Sequence, residues 1–177
     1  MRKLLFQGLI RKSLTEQPPQ HEDSALLELA KALQRTTRRR LGRSLSIREI
    51  DAGSCNGCEL EIHALGNAYY DLERFGIRFV ASPRHADVLL VTGPVTKNMR
   101  EALERTYDAT PDPKWVVAAG DCAADGGCFA GSYAVVGGVS EVIPVDLHIR
   151  GCPPSPTDLL RGLLALLEQT NMEGRVS

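Results

Sequence analysis

The sequence predicts a three-layer α/β domain on a parallel sheet, preceded by a basic helical arm. Three observations carry that prediction. Val88–Thr92 (VLLVT) and Trp115–Ala119 (WVVAA) are uninterrupted apolar and β-branched runs of strand length, typical of strands buried on both faces. Segments with helical spacing lie between and after them, as in crossover units that make neighbouring strands parallel. The 177 residues, 43% of them hydrophobic, suffice for one core without disulfide staples.

The arm, residues 1–45, comes first. Leu4, Leu5, Phe6, Leu9 and Ile10 fall on one side of a short helix ringed by Arg2, Lys3, Arg11 and Lys12, a pattern suited to an anionic membrane surface. Beyond Pro18-Pro19, Asp23-Ser24 is placed to cap a helix carrying Leu26, Leu27, Leu29, Ala30 and Leu33 at near-helical spacing. The run TTRRRLGR (36–43) ends the arm with concentrated positive charge.

The domain proper spans residues 46–170, followed by a tail over 171–177. Ser46–Asp51 reads as the first strand, Glu59–Phe75 as a helix entered through Cys58, and Arg78–Ala81 as a short strand. After the buried strand 88–92, Met99, Ala102 and Leu103 give Thr96–Thr106 helical spacing. Trp115–Ala119 is the next buried strand, Val142–Pro144 a short one, and Pro156–Gln169 the closing helix.

Net charge is −1, yet residues 1–48 carry 11 basic and 4 acidic residues while residues 49–177 carry 10 and 18. A basic segment on an acidic domain suits docking to a partner or membrane surface. Without interleaved aromatics, the basic run argues against nucleic acid as a partner. No run approaches the roughly 18 apolar residues that span a bilayer, and MRKLLFQGLIRK does not read as a secretory leader. The expected place is the cytoplasmic side of the cell membrane, peripherally bound. There five cysteines would stay reduced, so metal or catalytic roles outrank disulfides.

Four of those cysteines fall in strand-to-helix loops, where functional residues of parallel sheets gather. Cys55-Asn-Gly-Cys58 puts two thiols within reach of one metal centre, Cys122 follows WVVAAGD, and Cys152 follows the 142–149 stretch. A thioredoxin-like dithiol needs no further cysteine. Zinc usually takes two local pairs, whereas Cys122 and Cys152 stand far apart. One CxxC plus two distant single cysteines fits an iron–sulfur cubane better, and the Cys152-Pro153 step suits such a ligand. Cys128 exceeds the need of one cubane and reads as a buried apolar thiol.

The stretches GSCNGCELEIHAL (53–65), SPRHADVLLVTGPVTKNM (82–99), AAGDCAADGGCFAGSYAVVGG (118–138) and IPVDLHIRGCPPSPTDLL (143–160) together resemble one family. It comprises the cluster-bearing small subunits of respiratory complex I and of membrane-bound, energy-converting NiFe-hydrogenases. The resemblance spans residues 46–170. It implies a flavodoxin-like domain with one 4Fe-4S cluster on Cys55, Cys58, Cys122 and Cys152, beside a large catalytic subunit. Complex I members carry adjacent cysteines in the first motif. The CxxC version here, with Gly57 between, resembles the formate hydrogenlyase and hydrogenase-4 type.

The implied function is electron transfer within an oxidoreductase complex. Its partners would be a large NiFe or complex I-like subunit, a ferredoxin-like cluster subunit and membrane-arm subunits. Alternatives are a quinone-reducing complex with the same cluster, or a zinc-stabilised scaffold without catalysis. Glu61, three residues past Cys58, matches a family carboxylate and is the candidate for proton handling or interface contact, ahead of Glu59. His63 and Arg84 are further interface candidates, though an ordinary polar helix contact and loop solvation explain them as well. No GxxxxGK[ST] or GxGxxG follows a strand, so a nucleotide or flavin lacks its phosphate loop.

Overall fold

The computed structural model describes residues 24–169. The apolar face expected at Leu4–Ile10, the cap residue Asp23 and the tail lie outside them. Helix α1 (Ser24–Leu41) leads into β1 (Leu45–Asp51), and α2 (Gly57–Ala64) leads to β2 (Ile77–Phe79). Then come β3 (Val88–Thr92), β4 (Val95–Thr96), α3 (Arg100–Ala109), β5 (Trp115–Ala119) and α4 (Asp121–Asp125). The chain closes with β6 (Val135–Gly137), β7 (Leu147–Ile149) and α5 (Pro156–Gln169). Five strands form one parallel sheet in the order β2-β1-β3-β5-β7, and β4 pairs antiparallel with β6. The sheet with helices on both faces is the three-layer α/β architecture of flavodoxin-like domains.

Period-2 alternation explains the layers. Val88 and Leu90 of β3, with Trp115 and Val117 of β5, join a core shared with α1, α2 and α5. Leu89, Val91, Val116 and Ala118 point the other way, toward Leu103 of α3 and Ala123 of α4. Strands with an apolar residue at every position are what a two-sided core demands. Leu33 of α1 is fully buried in the first core.

Part of the basic run is committed to this fold. The Arg43 guanidinium donates to both oxygens of Asp87 at 2.8 and 2.5 Å, and Asp87 also accepts the Ser46 N–H at 2.9 Å. Arg40 donates to the Glu168 carbonyl at 2.9 Å, where the C-terminal end of α5 favours a cation.

Three elements differ from the sequence reading. The expected helix 59–75 stops at Ala64, and Leu72–Phe75 is a separate 3-10 turn. Asn67 Oδ1 accepts the N–H groups of Tyr69 and Tyr70 at 2.8 and 3.0 Å, an alternative to helical bonding that Asn favours. Thr96 opens no helix: Val95–Thr96 pairs with β6, its Oγ1 donates to the Ala52 carbonyl at 3.1 Å, and α3 starts at Arg100. Val142–Pro144 is not a strand. Pro144 lacks an N–H, and the ladder with β5 forms at Leu147–Ile149 instead.

Candidate metal centre

All strands of the main sheet point their carboxyl ends at one edge, and the cysteine loops leave from that edge. After β1, Asp51 Oδ1 accepts the N–H groups of Gly53 and Ser54 at 2.7 and 2.6 Å. Ser54 Oγ accepts the Asn56 N–H at 3.1 Å. Asn56 takes a left-handed conformation, φ 71°, and swings the chain into α2. Asn tolerates that conformation better than most residues. Cys55 is thus in the loop, exposed, while Cys58 is in the first turn of α2 and half-buried.

After β5, Gly120 at φ 97° turns the chain into α4, which carries Cys122. A Cβ at Gly120 would stand 2.7 Å from Cys58 Sγ, so only glycine lets this backbone pass the sulfur. After β7, the Gly151 carbonyl accepts the Asp121 N–H at 2.9 Å, and the Gly151 N–H donates to Asp121 Oδ1 at 3.1 Å. These bonds tie the third loop, with Cys152, to the second.

The four predicted ligands meet here. Cys55, Cys58, Cys122 and Cys152, with Asp121 and Gly151, line one cavity of about 140 Å³ whose walls are nearly all apolar. Burial first, then the charge of Glu59 and the neighbouring cysteines, pushes the Cys58 thiol up to about 12. Burial likewise raises Cys122, opposed by a hydrogen bond from the Cys128 backbone N–H. Thiols so disposed ionise only when a cation compensates them, and they release protons on binding it. Among the described residues, no three His, Cys, Asp or Glu side chains are arranged to hold a metal ion.

The remaining candidates scatter. Glu61 is half-buried on α2. His63 is exposed and lines a separate cavity of about 370 Å³ with Glu49 and Phe79. Arg84 lies in the 3-10 turn Pro83–His85 before β3, at the opposite end of the sheet. At about 3.3 Å per residue, β3 alone puts roughly 16 Å between that end and the cysteine loops.

One expectation is corrected. Cys128 is exposed, not a buried apolar thiol, because the 3-10 turn Gly127–Phe129 carries it outward. Its backbone nevertheless lowers the pKa of the Cys122 thiol, and its thiol raises it. Leu65, at the end of the first motif, is fully buried in the core. Sequence reasoning passed over Asp51, Gly120 and Asp121, although Asp followed at short spacing by Gly and Ser is a turn signal. It also ranked Glu59 below Glu61. Glu59 is the more unusual residue, 7% exposed with neither carboxylate oxygen hydrogen-bonded.

The chain is similar to known proteins. The chain is 47% identical over 134 residues to "Formate hydrogenlyase subunit 7" of Escherichia coli (strain K12), a match covering 74% of this chain. It spans about half, 52%, of that curated relative. The fold superimposes with a TM-score of 0.64 on a chain of the "membrane-bound sulfane sulfur reductase (MBS), an archaeal respiratory membrane complex". Identity there is 37%, over 78% of this chain and 74% of the other. Residues 55–166, which contain all four cavity cysteines, match the family described as "NADH ubiquinone oxidoreductase, 20 Kd subunit", and the chain belongs to that family.

Proposed function

We propose that the chain is the electron-transfer subunit of a membrane-associated, NiFe-hydrogenase-type oxidoreductase complex, carrying one 4Fe-4S cluster on Cys55, Cys58, Cys122 and Cys152. One observation carries the reading: thiols from three separate loops line a single apolar-walled cavity at the carboxyl edge of the sheet. A lone zinc draws four sulfurs onto one point at bonds of about 2.3 Å. Thiols spread around a cavity of about 140 Å³ suit a cubane, in which each cysteine holds a different iron.

When bound, such a cluster supplies one-electron transfer. The chain's own residues hold it and shape its surroundings. Gly120 lets backbone pass Cys58, Gly127 lets backbone pass Cys122, and the apolar walls limit water, surroundings of the kind that set cluster potential. Electrons would arrive from ferredoxin-like cluster subunits and leave to the large catalytic subunit, on the cytoplasmic side of the membrane. Membrane-arm subunits would hold the assembly there. Glu61 and His63, on the helix that starts inside the CxxC, are proposed for proton handling or interface contact. Arg84, at the far end of the sheet, is proposed for partner contact only.

A second reading keeps the cluster but makes quinone the acceptor; the family description favours it. The CxxC spacing and the identity to a formate hydrogenlyase subunit favour the hydrogenase type. Iron and acid-labile sulfide analysis of the purified complex tests the cluster. About four irons per chain, above those of the other subunits, support it. Zinc without sulfide at these cysteines refutes it in favour of a scaffold. Hydrogen uptake with a viologen acceptor, against quinone reduction, then separates the two redox readings.

A further inference from the structure

We infer that Arg150 is a positioning residue of this centre, strapping the Cys152 loop to both flanks of Cys122. The inference rests on the cluster reading above for its redox consequence, and on geometry for the strap itself. Arg150 leaves the end of β7 immediately before Gly151-Cys152. Its Nη1 stands 2.6 Å from Asp125 Oδ2 and 3.8 Å from Asp121 Oδ1. Those carboxylates are the two ends of α4, with Cys122 between them.

Each carboxylate also works inward. Asp121 Oδ1 accepts the Gly151 N–H at 3.1 Å, next to Cys152. Asp125 Oδ1 accepts the Gly127 N–H at 3.0 Å. Gly127, at φ 49°, passes close to Cys122: a Cβ added there would lie 2.8 Å from Cys122 Sγ, so only glycine leaves the sulfur its place. A continuous path of contacts therefore runs from Arg150 through Asp125 and Gly127 to the Cys122 sulfur, and a second runs through Asp121 to the Cys152 loop.

Arg150 and Asp125 are more than half exposed, so their pairing adds little to global stability. Its effect is local. The guanidinium fixes the side-chain rotamers of two carboxylates that orient ligand-loop amides, Asp125 through its other oxygen and Asp121 through the same one. It also offsets their charge. Without it, two anions remain beside the cysteines, and added negative charge disfavours electron uptake by a cluster.

The test uses the intact complex with Arg150→Ala, Arg150→Lys and the double variant Arg150→Ala/Asp125→Asn. Three measurements are made: reduction potential by redox titration, the electron paramagnetic resonance line shape, and amide exchange in peptides covering 121–128 and 150–152. Arg150→Ala should move the potential to more negative values, alter the line shape and speed exchange several-fold in both peptides. Arg150→Lys should restore the potential further than the exchange, because Lys keeps the charge and loses the fork. The double variant should recover potential but not exchange. Wild-type potential, line shape and exchange in Arg150→Ala would overturn the inference. A wild-type complex with no iron–sulfur signal from this chain would sink the cluster reading instead, and exchange would still decide the strap.

Discussion

Glu59 and Leu60 are neighbours with opposite fates, and the phase of one short helix decides them. On α2, Glu59, Ile62 and Leu65 face inward while Leu60 is 60% exposed. The four cavity cysteines depend little on that phase, because three stand off that helix, in or after loops, and Cys58 opens its first turn, so their spacing already brings them to the sheet edge. Replacing Cys55, Cys58, Cys122 or Cys152 singly by Ala should therefore remove or distort the paramagnetic signal of the proposed cluster. Cys128→Ala should keep the signal, since Cys128 is exposed and does not line the cavity that the other four share. An intact spectrum after Cys152→Ala, with loss after Cys128→Ala, would show a different fourth ligand. The cysteines were legible in the sequence for this reason. The burial of Glu59 and the outward turn of Cys128 were not, because each depends on which side of a turn meets the core. Glu49 offers a pH test at the same scale. Burial raises its pKa, helped by Glu59 and opposed by His63. A raised carboxyl pKa favours the folded state below the ordinary Glu range, and that contribution fades as pH rises through the folded value. Glu49→Gln should thus gain urea resistance relative to wild type at pH 7 more than at pH 4.

At the scale of elements, legibility followed local signal strength. β3, β5 and α5 run over the residues that the sequence predicts, because an all-apolar run or a long apolar period leaves one solution. β4 and β6 pair across about 40 residues, which no local pattern reveals. The Arg43–Asp87 junction is equally nonlocal, and it joins the end of α1 to the start of β3. Its two halves are not equivalent. Asp87 is buried and serves three donors, whereas the Arg43 side chain is 58% exposed. Asp87→Ala leaves the buried Ser46 N–H without its partner and should cost about 2–3 kcal/mol. Arg43→Ala should cost about 1 kcal/mol or less, because water reaches the guanidinium. Urea midpoints of the two variants check the order. Leu33→Ala, which removes a fully buried side chain between α1 and the sheet, should cost more than either, about 3–4 kcal/mol.

For the whole molecule, the cavity's position constrains how a complex can form. If the cysteine centre passes electrons as proposed, it must face its redox partner, and the carboxyl edge of the sheet should then be the interface with the proposed large subunit. Exposed apolar residues near the cysteine loops include Leu60 and Phe129, 60% and 39% exposed, with Phe129 next to Cys128. Leu65 is unavailable, so a charge at Leu65 should unfold the chain, and its effect on assembly would report stability alone. Leu60→Glu and Phe129→Glu should instead leave the fold intact and abolish assembly with the large subunit. Glu104→Lys on α3, packed against the sheet's other layer, should disturb assembly far less, beyond losing its pair with Arg100. Interfaces of this obligate kind bury about 2,000 Å² or more in total, enough for one central charge to be decisive. Co-purification of each variant with the large subunit, alongside the urea midpoint of the chain, gives the answer. Normal assembly of both Leu60→Glu and Phe129→Glu would place the partner on another face. The proposed electron path would then have to leave the cysteine edge by a different route.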